Sequence, residues 1–180
     1  VLVFSLGTEY GGSVRRVLSP VGGRQAFVNK GGRGGVKPNM ALDRTPAQGA
    51  KTHPEIVKAI VEQVVEAGAS KVQIFDNTCN EERRCYTRSG IRDAVKEIKS
   101  RRVKVEYVDQ RKFVPVDIER GKSLTRQLLY KDAIKADCYI NVPVAKHHGL
   151  SRLTLGLKNS MGVLGGDRGN MQQELGQKLA

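Results

Sequence analysis

The feature that most constrains this chain is a change of hydrophobic period between neighbouring segments. Between residues 54 and 67, Ile56, Ile60, Val64 and Val57, Val61, Val65 recur at helical spacing and make one broad apolar stripe. Thr52 or His53 stands at the cap, Pro54 in the first turn, Glu55 at the positive end of the dipole and Gly68 at the stop. Residues 71–76 then read as a strand, and a short strand ending in Val36-Lys37-Pro38-Asn39 precedes the helix. Strand, helix, strand in this order predicts one right-handed βαβ unit.

The alternation continues. Further strands are expected at 103–108, at 113–116 on an edge because of Pro115, and at 137–142, which reads as apolar and buried. Helices are expected at 14–18, 90–100 and 123–135, a polar loop at 77–88, and a strand-like run at 1–6. The fold class is therefore α/β, a mostly parallel sheet with helices on both faces in a Rossmann-like three-layer arrangement. A length of 180 residues suits a single domain over 1–180. That domain reads as truncated at both ends, because the chain opens without Met and stops inside the helix-like run 171–180. An export signal upstream would be invisible, so the compartment is undetermined.

Composition narrows the classes. Charged residues interrupt every apolar run well before the roughly 18 residues of a membrane-spanning helix. Apolar content of 39% is too high for a disordered polycation. The formal charge of +13 favours anionic partners, whether acidic metabolites, nucleic acid or a membrane surface. Nucleic acid is the weaker reading, since aromatics are only 5% and the basic residues of the middle third are interspersed with acids. Three cysteines without a C-x-x-C argue against a disulfide framework or a complete cysteine-ligated metal site. Cys79 and Cys85 could form a disulfide, share a metal or stay unpaired, and no essential thiol chemistry is expected of them. The glycines at 31, 32, 34 and 35 fail the P-loop pattern, because Lys37 is followed by Pro38, and no dinucleotide-binding fingerprint is present.

The candidate site follows from position. Lys37-Pro38-Asn39, Asp76-Asn77 and the stretch 141–148 each come directly after a predicted strand. In a parallel sheet all three open on the carboxyl edge, where open α/β folds bind ligands. The expected set is Lys37, Asn39, Asp76, Asn77, Asn141, Lys146, His147 and His148: cations for an anion, amides for orientation and imidazoles for proton transfer. Adjacent residues of an extended segment point opposite ways, so one of the two histidines is expected to face the site, and one of them is the expected ligand of any bound metal. Lys158-Asn159 adds an amine and an amide, with Gly156 and Gly162 letting the backbone approach a ligand. The bland alternatives are a turn or cap role for Asp76, loop-tying hydrogen bonds for Asn39 and Asn141, and a surface position for Lys158.

Four ordered blocks resemble the domain-of-unknown-function family 362: Val36-Lys37-Pro38-Asn39-Met40, Thr52-His53-Pro54-Glu55, the run from Ala136-Asp137 through Asn141-Val142-Pro143 to Lys146-His147-His148, and Thr154-Leu155-Gly156-Leu157-Lys158-Asn159-Ser160-Met161-Gly162. The resemblance covers about residues 14–180. It implies little chemistry, because the family is largely uncharacterised; some members carry appended ferredoxin-like iron–sulfur modules or a twin-arginine export signal. One departure is Gly34-Gly35, where the family has aliphatic residues before K-P-N, which leaves the length and register of that strand open. A more distant likeness is to the nickel-pincer lactate racemases, through Asp43-Arg44-Thr45-Pro46, Asp137 to Ile140, His148 and Lys158 ten positions on. It would make His148 a base and Lys158 an anchor, although the glycine pair of that family beside its lysine is missing.

The leading expectation is an enzyme acting on a small anionic, carboxylate-bearing metabolite. Lys37, Lys146 and Lys158 would neutralise the anion, Asn39, Asn141 and Asn159 would position it, and His147 or His148 would move a proton while Asp76 orients an imidazole. The alternatives are a basic module binding nucleic acid or protein, and a redox protein working with an iron–sulfur partner. On that last reading the cofactor is a metal ion or iron–sulfur cluster held outside this stretch.

Overall fold

Two glycines decide how the first strand is built. Strand β1, Arg33–Pro38, is hydrogen-bonded on both sides in the computed structural model, which describes residues 2–169. A Cβ on Gly34 would lie 2.7 Å from Cγ1 of Val64, and one on Gly35 would lie 3.0 Å from Cβ of Ala136. The missing side chains let neighbouring elements press onto both faces of the strand. Gly34-Gly35 therefore do not shorten β1; they replace aliphatic bulk with close packing.

Helix α2, Pro54–Glu66, forms as its stripe predicts, capped by His53, whose Nδ1 accepts from the Glu55 N–H. It connects β1 to β2, Lys71–Ile74, which pairs with β1 in parallel. Val57, Val61 and Val64 of the helix pack on Val36, Val72 and Ile74 of the sheet. Helices α3, Glu82–Arg88, and α4, Ile91–Lys96, add Tyr86, Ile91 and Val95 to the same core. Each such fully buried side chain contributes about 1.5–3 kcal/mol. Helix α1, Tyr10–Leu18, leans on α2, with the Tyr10 ring stacked 4.3 Å from that of His53.

The sheet is completed by β3, Val103–Val105, and β6, Cys138–Val142, both parallel, in the order β3-β2-β1-β6. A second core of Phe75, Val108, Tyr130 and Val163 packs with Phe113 and Ala133. Phe113, Tyr130 and Ala133 come from an antiparallel pair, β4 (Phe113–Asp117) with β5 (Arg126–Tyr130), and from α5, Lys131–Ile134. Flanked in this way, the parallel sheet forms a three-layer α/β fold. No helix among the described residues is long and apolar enough to cross a membrane.

Four expectations are corrected. The stretch 77–88 is not all loop: Glu81 accepts from the N–H groups of Arg83 and Arg84 and starts α3, whose buried pair Cys85-Tyr86 is too short a signal to show a period. Residues 123–135 are not one helix, because Leu128-Leu129-Tyr130 suits either period and pairing with β4 selects the strand. Residues 2–6 form no strand, and Leu2, Phe4 and Leu6 are exposed. In addition, β6 lies at a sheet edge and only Val142 of its residues is buried, so it is not the buried strand its composition implied.

The register positions the site. Val36 stands beside Ile74 and Ile140, and Lys37 beside Asn141, so β1, β2 and β6 all release their chains at one edge. From β1 the chain moves outward to β2 and β3, then returns to β6 on the other side of β1. That reversal is the topological switch point at which open α/β sheets leave a crevice.

Gly34→Ala should cost about 1–3 kcal/mol in urea unfolding, because Val64 and α2 must move to admit the methyl group. An unchanged midpoint would show that the helix does not sit this close.

Candidate functional site

The floor of the crevice is a buried ion pair. Lys37 leaves β1 and Asp76 follows β2, and Nζ meets Oδ1 at 2.8 Å with both side chains almost wholly removed from water. Nζ also donates to Pro38 O at 2.8 Å and to Asn159 Oδ1 at 2.9 Å, so two neutral oxygens surround the ammonium besides the carboxylate. Asp76 Oδ2 accepts the Met40 N–H at 2.6 Å, and the Tyr86 hydroxyl accepts the Asp76 N–H at 2.9 Å. Burial pulls the Lys37 ammonium below the ordinary lysine range and lifts the Asp76 carboxyl above the usual carboxylate range, while each charge opposes the other's shift. The surrounding donors and acceptors match the charged forms.

Gly162 makes this packing possible. A Cβ there would fall 1.9 Å from Asp76 Oδ1 and 2.6 Å from Lys37 Nζ. Its carbonyl accepts the Asn77 N–H at 2.9 Å. The glycine is required by the ion pair, a reason distinct from the close backbone approach to a ligand that its position in the sequence implied.

Amides and one hydroxyl tie the strand ends together. Asn159, in α6 (Gly156–Ser160), donates to Asn141 Oδ1 at 2.7 Å, and Asn141 donates to Gly156 O at 2.7 Å. Thr52 Oγ1 accepts the Asn39 N–H at 2.8 Å and donates to Val142 O at 2.6 Å, bridging the ends of β1 and β6. In the Thr52-His53-Pro54 motif the histidine therefore caps the helix and the threonine joins two strands. Lys146, which opens β7 (Lys146–His148), donates to Ala50 O.

Above this floor lies a cavity of about 660 Å³. Lys37, Asn39, Asp76 and Asn77 line it from the ends of β1 and β2. Lys146, His147 and His148 line it from β7, and Lys158 and Asn159 from α6. Among the residues expected at the site from the sequence, only Asn141 stays out of the wall, bonded to Asn159 from behind. Both histidines reach the wall, where the alternation of an extended segment predicted one.

The cationic groups are not equivalent. Lys37 is matched by Asp76, and Lys146 is held on Ala50 O. Lys158 is half-buried, and its ammonium has no hydrogen-bond or ion-pair partner among the described residues. Burial pulls the Lys158 pKa down, and burial followed by the charge of Lys158 does the same to Lys146. The buried Asn39 Oδ1 and Thr154 Oγ1 belong to residues of the cavity lining and also lack a partner among the described residues.

His148 Nδ1 accepts the N–H groups of Leu150 and Ser151, each at 3.2 Å, which closes the turn between β7 and β8 (Arg152–Thr154). With Nδ1 occupied as an acceptor, the neutral ring carries its proton on Nε2 and serves as a donor. Its pKa is lowered by burial and then by Lys158, Lys146 and His147. Among the described residues no group of three His, Cys, Asp or Glu side chains could hold a metal ion, so the wall as described does not fit such a centre. Cys79, Cys85 and Cys138 are free thiols, which settles the pairing the sequence left open.

Several residues of the site carry no clear sequence signal. Arg168 donates to Asn77 O at 2.7 Å and Thr78 O at 2.9 Å and lines the cavity. Lys51 is buried and donates to Cys85 O at 2.8 Å, holding the end of α3. Thr154, Cys79 and Asp167 also line the cavity. The Lys158-to-His148 spacing marks the nearby lysine and the block that opens at Thr154 marks the threonine, but nothing in a single sequence separates Arg168 from surface residues.

Asp76→Asn should destabilise the protein by about 3–5 kcal/mol in urea unfolding, because it leaves the Lys37 charge buried without a counter-charge. The double change Lys37→Met, Asp76→Leu should recover most of that loss. His148 should titrate by NMR below 6.5, and Lys158→Ala should move it upward. Because its folded pKa is depressed, the stability it lends the hairpin is present above its unfolded pKa and is lost as pH falls through the folded value.

Comparison with known proteins agrees with the motifs. The thylakoid-associated protein sll1697 of Synechocystis sp. (strain PCC 6803) is 30% identical over 154 residues, covering 86% of this chain and 46% of that protein. The chain thus spans about half the length of this relative. No solved structure matches. The likeness to lactate racemases is not shown by these matches. Residues 35–180 match the family described as Domain of unknown function (DUF362), and the chain belongs to that family.

Proposed function

We propose that this domain binds a small, carboxylate-bearing anion in the crevice at the carboxyl ends of β1, β2 and β6, as part of an enzyme acting on that metabolite. The observation that carries the reading is Lys158, an ammonium in the cavity wall with no hydrogen-bond or ion-pair partner among the described residues. A cation removed in part from water and left unmatched is costly unless a ligand completes it. Lys158 receives the carboxylate, with Lys146 adding positive charge beside it. Lys37 is already matched by Asp76 and supports the floor, a different role from the anion contact its sequence position implied.

The remaining groups divide by what they can still do. His148 presents Nε2–H as a donor toward the bound molecule, and the exposed His147 beside it is the group that moves a proton to or from that molecule. Asn39 and Thr154 offer the unmatched polar atoms that orient the rest of the molecule. Asn141 and Asn159 act from beneath by fixing α6, which bears Lys158.

The rival reading, a basic module for nucleic acid or protein, would use the groove at Arg92, Lys96, Lys99 and Arg101 beside the edge strand β3. Two of those cations are already engaged, Lys96 with Asp93 and Arg92 over the Tyr107 ring, which favours the crevice.

Calorimetric titration with succinate at low ionic strength tests the reading. Binding is expected for the wild-type chain and should weaken about tenfold or more in Lys158→Ala, the scale of a hydrogen bond to a charged group. Lys104→Ala, on the far edge strand, should bind as wild type. Equal binding by the Lys158 variant would overturn the assignment.

A further inference from the structure

The cavity also holds a thiol that the anion-binding reading does not use. Of the three cysteines, Cys79 alone is exposed, and it lines the cavity. Cys85 is buried with its sulfur 3.6 Å from Ala41 O, and burial pushes both its pKa and that of Cys138 upward. The Cys79 N–H donates to Ala41 O at 2.8 Å, so the backbone that carries the thiol is fixed to the loop after β1. A negative charge on the Cys79 sulfur would raise the pKa of Lys37, Lys146 and Lys158, which places all three cations within electrostatic reach of it.

A lone cysteine is not a site. Here a second observation points to a ligand beside it. Asn39 and Thr154 are 6% and 3% exposed, line the same cavity, and each holds a polar atom with no hydrogen-bond partner among the described residues. Buried polar atoms are almost always matched, and a cavity with two unmatched ones is shaped for a polar molecule. Lys158 would hold the anionic end of that molecule, and the sulfur shares the wall.

We propose that Cys79 is the nucleophile of this cavity and that it attacks electrophilic carbon carried on a small anion in preference to carbon carried on a neutral molecule. The proposal rests on the reading of the cavity as an anion site. In the step the thiol gives its proton to solvent, and a sulfur lone pair forms the S–C bond. The leaving group departs with the electron pair of the bond that breaks. The preference comes from recruitment, since a cationic crevice concentrates anions near the sulfur.

Iodoacetate and iodoacetamide test it, because they deliver nearly the same carbon with and without a charge, and iodide is the leaving group of both. Alkylation of the intact chain is followed by mass spectrometry with peptide mapping, and the urea-unfolded chain sets the reference. At Cys79 the rate ratio of iodoacetate to iodoacetamide should exceed that of the unfolded chain by about tenfold or more, exceed the ratio at Cys138, and fall with added salt. Lys158→Ala should remove most of the preference, and succinate should protect Cys79. The salt and succinate arms need no variant, so a poorly folding substitution leaves the test intact. A ratio equal to that of the unfolded chain, or faster labelling at Cys138, overturns the proposal. If calorimetry shows succinate binding while the ratio stays ordinary, the nucleophile falls and the anion site stands. If neither appears, both fall.

Discussion

The rest of the structure depends on one buried contact, the Lys37–Asp76 ion pair. Removing two charges from water is expensive, and their attraction repays it only when the remaining protons and lone pairs are also satisfied. Here Pro38 O and Asn159 Oδ1 complete the ammonium, and the Met40 N–H completes the carboxylate. Those partners come from the end of β1 and from α6, and Asp76 follows β2, so satisfying the pair fixes the relative positions of all three. Gly162 follows from the same demand, since any side chain there would occupy the place of the charges.

The sheet topology turns that local constraint into a crevice. Because β1 has β2 on one side and β6 on the other, the chains leaving these strands part at their carboxyl ends. Thr52 keeps the ends of β1 and β6 from separating, and the Asn141–Asn159 contact seats α6 over them. After this stitching Lys158, Asn39 Oδ1 and Thr154 Oγ1, all in one wall, are without a partner among the described residues. The division between cations used by the fold and the cation left open gives the cavity its chemical direction.

Much of this was legible in the sequence because it depends on order and period. The stripe of α2, the run after it and the polar residues that end each strand were enough to place Lys37, Asp76 and Lys146 on one rim. The same reasoning could not distinguish a structural lysine from a ligand-binding one, because that depends on which acceptor lies beside Nζ. Lys37 and Lys158 look alike in sequence and differ in the structure by one carboxylate. Gly34-Gly35 reads as a weak strand when only propensity is considered, whereas the close approach of Val64 makes it a central one. Arg168 was invisible because its role rests on contacts with Asn77 and Thr78, far away in the chain. The helix expected at 123–135 failed where a short apolar run fits both periods, and strand pairing decided.

The state of Lys37 tests the central claim most directly. A proton–nitrogen correlation spectrum of the Lys37 side chain at neutral pH should show a charged ammonium whose protons exchange slowly with water and lie close to those of Asn159 and the Met40 amide. A neutral amine, or an ammonium exchanging as fast as that of a surface lysine, would contradict the buried pair as the anchor of the crevice.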